Sequence, residues 1–519
     1  IGLMAVLGDC PAAGNFASAT PFVFVNEVST IAAAYAMAGW AMDATDVSSG
    51  GITLATTGVR NAFANAANLA SISTGQALAT TPASSGSNIG TVPQATINTL
   101  ANILAACINS SGSSSTQCST LFSNAKSAGS SGTTATDTAT AAINIAHNPG
   151  ANITALYDIG GASGPFEPTL ASAPNDFTIA LSFTGNGLSQ PYGIAIDASG
   201  NVWVANAGGN SVSEFTSAGG VAGSSPFTGG NLFAPIFIAI DGTGNAWVTN
   251  EGSYPFSNSG VTKFTSAGAA VNSSPFTGGD LNEPEGIAFD ASGNAWVANY
   301  NGPCCPYTYY VTKLTSISSA TGYTGGGLEG SVGVAVDGAG NAWIGNLFNN
   351  SISKYTSAGS GSNHGGGGLN YPEGIAIDHS GNVWAANNRN SSVSEFSNAG
   401  TALSGSGYTG GGLNAPYGIA LDGSGNAWIA NNGSDSVTEL NSSGAAISGS
   451  NGYTGGGLYN PFWIAIDGSG NVWVTNYSGA AGSSVAEFIG AATPVKTPIA
   501  AGLPATPTSD GSSNLGTRP

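Results

Sequence analysis

The sequence predicts a seven-bladed β-propeller with four-stranded blades, preceded by a small all-α domain. One motif occurs seven times in the second half of the chain, and its clearest copy occupies residues 191–206. Its aspartate is followed six residues later by a tryptophan in every copy, and the copies recur about every 45 residues, as propeller blades do. The aspartates are Asp197, Asp241, Asp290, Asp337, Asp378, Asp422 and Asp467, and the tryptophans are Trp203, Trp247, Trp296, Trp343, Trp384, Trp428 and Trp473.

Each copy of the motif contains the pattern of four short strands. An apolar run such as GIAI is followed by an Asp-x-Ser-Gly-Asn turn and by a second run such as WVAN. A third strand with alternating polar and apolar residues comes next, and 407–413 represents the fourth. The third strands are Ser211–Phe215, Ser351–Tyr355, Ser392–Phe396, Ser436–Leu440 and Ser484–Phe488. Four strands per repeat are typical of a propeller blade.

The ends of the repeat array predict how the ring closes. A segment that resembles the fourth strand precedes the first copy, at residues 175–184, whereas the seventh copy lacks a fourth strand of its own. We therefore expect 175–184 to complete the last blade, which protects two exposed strand edges. The propeller is predicted to span residues 176–490.

The first part of the chain has the periodicity of helices rather than strands. Ala, Leu and Ile recur at helical spacing, with Asn26 placed to cap the first helix and Pro93 to begin the third. These segments are 26–44, 58–73, 93–109, 116–126 and 137–147, within an all-α domain of residues 11–160. Residues 161–175 are a predicted linker. Residues 1–10 form an apolar segment that could pair as a strand outside the chain, and 491–519 a Pro/Thr/Ser-rich extended tail.

Charge and composition exclude some classes of function. Charged residues make up 7% of the chain, with 27 acidic against 8 basic residues and a net charge of −19. So few cations exclude nucleic-acid binding by phosphate neutralisation, and we find no apolar run long enough to span a bilayer. A weakly charged surface of Ser, Thr and Asn indicates a secreted, extracellular or cell-surface protein. The chain begins at Ile1 without a signal peptide, so we expect it to be processed or incomplete.

The five cysteines predict disulfides rather than a metal or redox site. Cys107 and Cys118 flank a short loop between two helices, a spacing that favours a disulfide over two unpaired apolar side chains. Cys304 and Cys305 are adjacent, and they could form a vicinal disulfide or pair elsewhere. Cys10 has no obvious partner. None of the five has the CxxC spacing of a zinc or redox site.

The repeats resemble NHL repeats and, in their Trp-rich form, the streptogramin (virginiamycin B) lyase-like propellers. The resemblance implies a propeller over 176–490. It also implies that a lyase of this family would use a histidine with a glutamate and a divalent metal near the ring axis. His379 stands in a turn position, His364 in an outer-strand position and His147 in the helical domain. None is placed as a general base at the channel mouth, so we expect no lyase activity.

The residue after the repeat proline is expected to line the mouth of the central channel. These residues are Tyr192, Ile236, Glu285, Val332, Glu373, Tyr417 and Phe462. Glu285 and Glu373 could bind Ca²⁺ or Mg²⁺ through oxygen ligands, as in gluconolactonase-type propellers. The repeated asparagines that end the second strands could join them, but we favour a role in bonding turn amides within each blade. No other cofactor is expected.

Two long loops on the same face are rich in aromatic residues. The loops carry Tyr254, Phe256, Tyr300, Tyr307, Tyr309 and Tyr310. Aromatic side chains give a large contact area at low ordering cost and are typical of binding surfaces. They could bind carbohydrate or another protein, or simply cover the extra loop length.

We find no phosphate-binding loop, dinucleotide fingerprint or nucleophile elbow in the sequence. The first hypothesis is a secreted, non-enzymatic propeller with a structural, adhesive or self-assembling role, including filaments. Its partner would be a second copy, bound through the terminal segments and the loop face. The alternative is a metal-dependent lyase or lactonase-like enzyme, or a carbohydrate-binding propeller, acting at the channel mouth.

Overall fold

The first part of the chain is helical. The computed structural model describes residues 1–8, 22–48, 53–82, 90–160, 163–252, 259–271, 275–301, 308–477 and 482–497. Within them, six helices form: α1 Glu27–Ala36, α2 Thr53–Leu69, α3 Gln94–Ile108, α4 Thr116–Asn124, α5 Thr138–His147 and α6 Ile153–Tyr157. Two small hairpins lie between them: β1 Ala70–Ser71 with β2 Gln76–Ala77, and β3 Lys126–Ala128 with β4 Ser131–Thr134.

The first helix shows where the sequence reading was right and where it was wrong. Asn26 caps α1 as expected, since its side chain accepts the Ser29 N–H while the Ser29 hydroxyl accepts the Asn26 N–H. The prediction that this helix reaches residue 44 is wrong, because α1 ends at Ala36. Beyond it the chain must pass close to a neighbouring segment: a Cβ on Gly39 would lie 2.9 Å from Pro494.

The rest of the chain is mainly β and forms small antiparallel sheets of three or four strands. Seven such sheets lie within the described residues, and we number them by their order in the chain. Sheet 1 contains β6 Pro191–Ile196, β7 Val202–Asn206 and β8 Ser211–Phe215; sheet 2 contains β9 Pro235–Ile240, β10 Ala246–Asn250 and β11 Gly260–Phe264; sheet 3 contains β12 Pro284–Phe289, β13 Ala295–Asn299, β14 Val311–Ser316 and β15 Ser319–Tyr323; sheet 4 contains β16 Ser331–Val336, β17 Ala342–Asn346, β18 Ser351–Tyr355 and β19 Gly361–His364.

The remaining sheets follow the same plan, and the last one closes as predicted. Sheet 5 contains β20 Pro372–Ile377, β21 Val383–Asn387 and β22 Ser392–Phe396; sheet 6 contains β23 Pro416–Leu421, β24 Ala427–Asn431 and β25 Ser436–Leu440; sheet 7 contains β26 Pro461–Ile466, β27 Val472–Asn476, β28 Ser484–Phe488 and β5 Ala180–Thr184. Strand β5 pairs antiparallel with β28 from Ala180–Phe488 to Thr184–Ser484. The expectation that 175–184 completes the last sheet is therefore confirmed.

The predicted fourth strand is regular in only some repeats. Sheets 3, 4 and 7 have one, whereas residues 407–413, predicted as a strand, make a single bridge from Tyr408 to Val393. The cause is local, because Gly405 and Gly407 have positive φ and the Gly407 N–H donates to the Ser404 carbonyl at 3.0 Å, so a turn interrupts the segment.

The repeat aspartate and tryptophan stabilise the first turn of each sheet. Asp197 accepts the N–H groups of Ser199 and Asn201 through Oδ1, and the Trp203 indole donates to its Oδ2 at 3.3 Å. The same indole–carboxylate hydrogen bond is present for six of the seven repeat tryptophans. Trp296 is the exception: its buried N–H has no hydrogen-bond partner among the described residues.

The first strands of the seven sheets contact one another in a closed cycle, from β6 through β9, β12, β16, β20 and β23 to β26 and back to β6. Backbones approach closely at these contacts, since a Cβ on Gly333 would lie 2.2 Å from the Glu373 carbonyl oxygen. This arrangement of small, face-packed antiparallel sheets is that of a β-propeller.

The helices pack against the sheets rather than standing apart. One hydrophobic core contains helix residues such as Tyr35 together with sheet residues such as Trp473. The Tyr35 hydroxyl donates to the Phe177 carbonyl at 2.6 Å, and the Ser469 hydroxyl donates to the Gly58 carbonyl at 2.9 Å. The helical part therefore lies against sheet 7, on the face that carries the Asp-x-Ser-Gly-Asn turns.

The segments predicted as extended at the two ends are held by side chains of this chain. Residues 1–8 form no strand: the N–H groups of Gly2 and Met4 donate to the hydroxyls of Thr138 and Thr30. Residues 491–497 cross the turns of sheets 6, 7 and 1, and the Thr497 hydroxyl donates to the Asp197 carbonyl at 2.7 Å. Residues 498–519 lie outside the described part of the chain.

Candidate functional site

The candidate site lies at the channel mouth, on the face opposite the helices. Its aromatic part comes from the position after the repeat proline, as the sequence predicts. The Phe462 ring lies 4.3 Å from the Tyr192 ring and 4.2 Å from the Tyr417 ring, measured between centroids. Tyr477, which sequence analysis missed, lies 5.3 Å from Phe462. Rings from sheets 1, 6 and 7 therefore form one continuous aromatic surface.

Glu285 and Glu373, from sheets 3 and 5, are both buried at this mouth. Their exposed fractions are 9% and 6%, and the Oε2 atom of Glu285 has no hydrogen-bond partner among the described residues. Burial raises the pKa of Glu285 well above its usual value, with further contributions from the charges of Glu251 and Glu373. Burial raises the pKa of Glu373 to about 8, although the charge of Arg389 acts in the opposite direction. Glu373 is therefore mainly protonated at neutral pH, and burial shifts the pKa of Glu285 in the same direction.

Two further carboxyls, which sequence analysis missed, lie beside this pair. Burial and the charge of Glu283 raise the pKa of Glu251, while Glu283, whose pKa is also raised by burial, accepts a hydrogen bond from Asn301. The described residues contain no group of three or more His, Cys, Asp or Glu side chains arranged to hold a metal ion. Among these residue types, no third ligand therefore joins Glu285 and Glu373 within the described residues to complete the predicted calcium or magnesium site.

A second group of rings covers the carboxyl side of the mouth. Tyr300, which was predicted, lies 5.6 Å from Phe348, and Phe348 lies 6.3 Å from Tyr371. The Arg389 guanidinium stacks on the Tyr371 ring at 4.1 Å. Burial raises the pKa of Tyr300 to about 12, and that of Tyr417 likewise to about 12, so both phenols stay neutral hydrogen-bond donors.

Two large rings form the floor of the mouth. Phe237 and Trp463 occupy the position that is glycine in the other five repeats, as at Gly193. They meet edge to face with centroids 4.5 Å apart, and Phe237 also contacts Tyr192 at 5.3 Å. The floor therefore separates the mouth from the channel below it.

The repeated asparagines are structural, as the favoured interpretation held. Each is fully buried: the Asn346 amide donates to the Ser353 hydroxyl, and its Oδ1 accepts the Glu329 N–H. The same pattern recurs from sheet to sheet, with a hydroxyl and a loop amide as partners. The seven are Asn206, Asn250, Asn299, Asn346, Asn387, Asn431 and Asn476.

The backbone at the mouth has an unusual conformation that the sequence did not predict. The residue before the repeat proline has positive φ in every sheet that begins with proline, including Glu283 at 45° and Tyr371 at 60°. The N–H of this residue donates a hydrogen bond to a side chain of the preceding sheet. The Tyr371 N–H, for example, donates to Oδ1 of Asn350 at 2.8 Å. These hydrogen bonds connect neighbouring sheets and fix the rim on which the site is built.

The predicted loop residues divide between described and undescribed parts of the chain. Tyr254, Phe256 and Tyr307, and the cysteines Cys10, Cys304 and Cys305, lie outside the described residues. Tyr309 and Tyr310 are partly buried. Tyr309 packs against the cluster that contains Trp296, and the Tyr310 carbonyl accepts the Asn299 side chain.

The remaining predictions concern the disulfide and the histidines. Cys107 and Cys118 form the favoured disulfide between α3 and α4. His147 contacts the Ala38 carbonyl, and His364 lies 5.7 Å from the Trp343 ring. His379 lines the end of the channel remote from the mouth. As the sequence indicated, all three histidines lie away from Glu285 and Glu373.

The residues that sequence analysis missed gave weak signals. Phe237 and Trp463 stand at a position that is otherwise glycine, so the sequence shows that these two repeats differ from the rest. It does not show that the two rings contact each other across sheet 1. Tyr371 and Arg389 lie outside the repeat positions that were assigned to the mouth. Glu283 lies two residues before Glu285, and no other repeat has a carboxylate at the equivalent position.

Comparison with known proteins concerns the architecture. No protein-family model and no curated protein matches the chain. Among solved structures, a streptogramin B lyase is similar at 18% identity, covering 58% of this chain and 93% of that one with a TM-score of 0.49. Virginiamycin B lyase from Staphylococcus aureus is 16% identical, covering 59% and 95% with a TM-score of 0.48. A gluconolactonase from Xanthomonas campestris is 14% identical, covering 49% and 86% with a TM-score of 0.36. These likenesses transfer neither ligand nor reaction to this chain.

No helix within the described residues has the length and apolar character to cross a bilayer.

Proposed function

We propose that the chain forms a single seven-bladed propeller, with an all-α part on one face, and binds a neutral carbohydrate at its channel mouth without catalysis. The observation that carries this proposal is Glu285, a buried carboxyl beside a continuous aromatic surface, whose Oε2 has no hydrogen-bond partner in the described part of the chain. A buried polar atom without a partner costs free energy, so a partner supplied by a ligand would recover it.

The chemistry of the mouth favours an uncharged, hydroxyl-bearing ligand. Burial favours the protonated form of Glu285 and Glu373, and in that form each carboxyl provides one O–H donor and acceptor oxygens, which is the combination that sugar hydroxyls require. The rings of Tyr417 and Phe462 offer apolar surface to the C–H face of a sugar ring. A neutral ligand would leave both carboxyls protonated.

Binding is favoured over turnover because the mouth lacks the usual catalytic partners. The three histidines lie elsewhere, and neither Glu285 nor Glu373 forms a hydrogen bond with a Ser, Thr or Cys nucleophile within the described residues. We therefore propose no lyase or lactonase reaction, and we treat Ca²⁺ or Mg²⁺ at the two glutamates as the competing occupant.

Substitution of Glu285 tests the proposal. Neutral oligosaccharides are screened on the purified protein, and dissociation constants are measured calorimetrically for Glu285→Gln and Glu285→Ala. Glutamine keeps a donor and an acceptor, so Glu285→Gln should bind within a few fold of the wild type, whereas Glu285→Ala should lose binding. Glu214→Gln, a buried carboxyl on the third strand of sheet 1, serves as the matched control.

Two outcomes would overturn this function. One is that no neutral oligosaccharide binds the wild type. The other is that Ca²⁺ or Mg²⁺ raises the melting temperature and Glu285→Gln abolishes the effect, because a metal needs the ionised carboxylate.

A role outside the cell and in self-assembly is the second candidate. The Cys107–Cys118 disulfide supports an oxidising compartment, and Ile1, Phe22 and Phe24 expose 78%, 79% and 51% of their surface. A second copy that covers these side chains would remove apolar area from water. Light scattering and negative-stain microscopy test this, with Phe22→Ser and Phe24→Ser expected to shift assemblies to monomers; monomers of the wild type at high concentration would contradict it.

A further inference from the structure

The first strands of the seven sheets enclose a cavity of about 230 Å³ along the channel axis. Each strand contributes three successive residues to its wall, as Ile194, Ala195 and Ile196 do in sheet 1. The three resulting rings consist of Ile, Val, Leu, Phe and Ala and contain no polar side chain. The free backbone edges of these strands also face the axis, but most of the wall surface is apolar and favours an apolar occupant; an apolar cavity of about 150 Å³ already takes up benzene.

The two ends of this cavity differ in chemistry. Toward the mouth, the indole of Trp463 lines the cavity and, with Phe237, separates it from the carbohydrate site proposed above. At the other end, the wall includes Val495, Lys496 and Thr497, from the segment that crosses the turns of sheets 6, 7 and 1. The cavity therefore has one apolar end and one end with polar and charged groups.

The polar end presents a cation rather than an anion to an occupant. Asp422 is also there, but its carboxylate already accepts the amides of its own turn, the Thr493 N–H and the Trp428 indole N–H. Asp378, beside His379, likewise accepts the Asn382 N–H and the Trp384 indole N–H, which leaves Lys496 and His379 to interact with an occupant. A carboxylate at this end would gain charge-assisted hydrogen bonds.

We propose that the channel binds one straight alkyl chain with a carboxylate head group. The alkyl chain would lie along the axis within the three apolar rings, and the carboxylate would contact Lys496 and His379. Burial of the chain removes apolar surface from water, which provides most of the driving force. This site does not depend on Glu285 or Glu373.

Calorimetry with decanoate tests the proposal on the full chain. Decanoate should bind one per chain, butyrate should not bind because its chain is too short to fill the rings, and decan-1-ol should bind about tenfold more weakly. Lys496→Met should weaken decanoate about tenfold without affecting decan-1-ol, whereas Lys126→Met on the β3–β4 hairpin should change neither.

A second variant fills the cavity. Ala376→Leu places a larger side chain in the middle ring and should abolish binding of both decanoate and decan-1-ol; because Lys496→Met leaves the channel wall intact, the proposal stays testable if Ala376→Leu does not fold. Absence of decanoate binding, equal affinity for decanoate and decan-1-ol, or an equal loss with Lys126→Met would each overturn it.

Discussion

Phe237 and Trp463 meet edge to face across sheet 1, with ring planes at 89°. Both replace a repeat glycine, and in both repeats the second strand carries a threonine where the other repeats have alanine or glycine. The Thr249 hydroxyl accepts the Phe237 N–H at 3.0 Å, and the Thr475 hydroxyl accepts the Trp463 N–H at 3.0 Å. Each aromatic substitution is thus accompanied by a hydroxyl that satisfies the amide at the irregular point of the first strand.

Thr475→Val should therefore destabilise the fold through one unpaired amide. The side chain keeps its size, but the Trp463 N–H and the Tyr192 carbonyl each lose a partner. We expect a loss of about 1–3 kcal/mol in the free energy of unfolding, measured by urea denaturation. Thr475→Ser keeps the hydroxyl and should lose clearly less; a Thr475→Val variant as stable as the wild type would show that the hydroxyl does not stabilise the fold.

The repeat tryptophans offer a matched pair of variants. The Trp343 indole donates to Asp337 at 3.1 Å, whereas the buried Trp296 indole N–H finds no partner among the residues that the structure describes, and a lysine lies over each ring. Replacement by phenylalanine removes similar apolar area from both sites. Trp343→Phe should therefore cost about 1 kcal/mol more than Trp296→Phe in urea unfolding. An equal or larger cost for Trp296→Phe would mean that the hydrogen bond does not stabilise the turn.

The repeats were predicted well from the sequence because the interactions that form them are between residues close together in the chain. The Asp-x-Ser-Gly-Asn turn, the alternation of the third strand and the cap at Asn26 depend on residues within a few positions of each other. The closing strand was predictable for a different reason. Residues 175–184 resemble a fourth strand but precede the first repeat, and the seventh repeat lacks a fourth strand of its own. Helix α1 was overextended because the apolar pattern continues beyond Ala36, where the chain leaves the helix and approaches Pro494, a residue remote in sequence.

The site was predicted only in part. The position of a residue within the repeat predicts that it lies at the mouth of the channel, but it does not predict which other residues it contacts. Glu285, Glu373, Tyr192, Tyr417 and Phe462 were assigned to the mouth from their position after the repeat proline. The floor formed by Phe237 and Trp463 joins sheets 2 and 7, which are far apart in the chain, whereas Arg389 stacks on Tyr371 within sheet 5. The same repeat position is buried at Glu285 and Glu373 but only half-buried at Tyr192, Tyr417 and Phe462, so register did not predict the burial or the raised pKa values of the glutamates.

Reduction of the Cys107–Cys118 disulfide should loosen the α3–α4 pair. The bond closes a loop with a sequence separation of 11, for which chain entropy gives about 3 kcal/mol of stabilisation. Reduced protein should show faster amide exchange in Gln94–Ile108 and Thr116–Asn124 while the exchange of sheets 3 and 4 stays the same. Cys107→Ser/Cys118→Ser should reproduce the reduced state without reductant; unchanged exchange in both helices would contradict the prediction.

The protonated glutamate at the mouth predicts that stability falls as the pH rises. The pKa of Glu373 is about 8 in the folded chain and near 4.5 in the unfolded chain, so between these values the folded state holds a proton that the unfolded state has lost. Stability is then full below about pH 4.5 and declines by up to about 1.4 kcal/mol per pH unit until the carboxyl ionises near pH 8. Burial raises the pKa of Glu214 to about 7, which adds a decline of the same sign over a narrower range.

Glu373→Gln removes the titrating proton while it keeps the shape of the side chain. Urea unfolding of this variant from pH 4.5 to 8.5 should show a shallower decline than the wild type, and the variant should be the more stable of the two at pH 8.5. Glu167→Gln, at an exposed position, should follow the wild-type curve. Parallel curves for Glu373→Gln and the wild type would show that Glu373 is ionised in the folded chain, and the neutral character of the mouth would then be wrong.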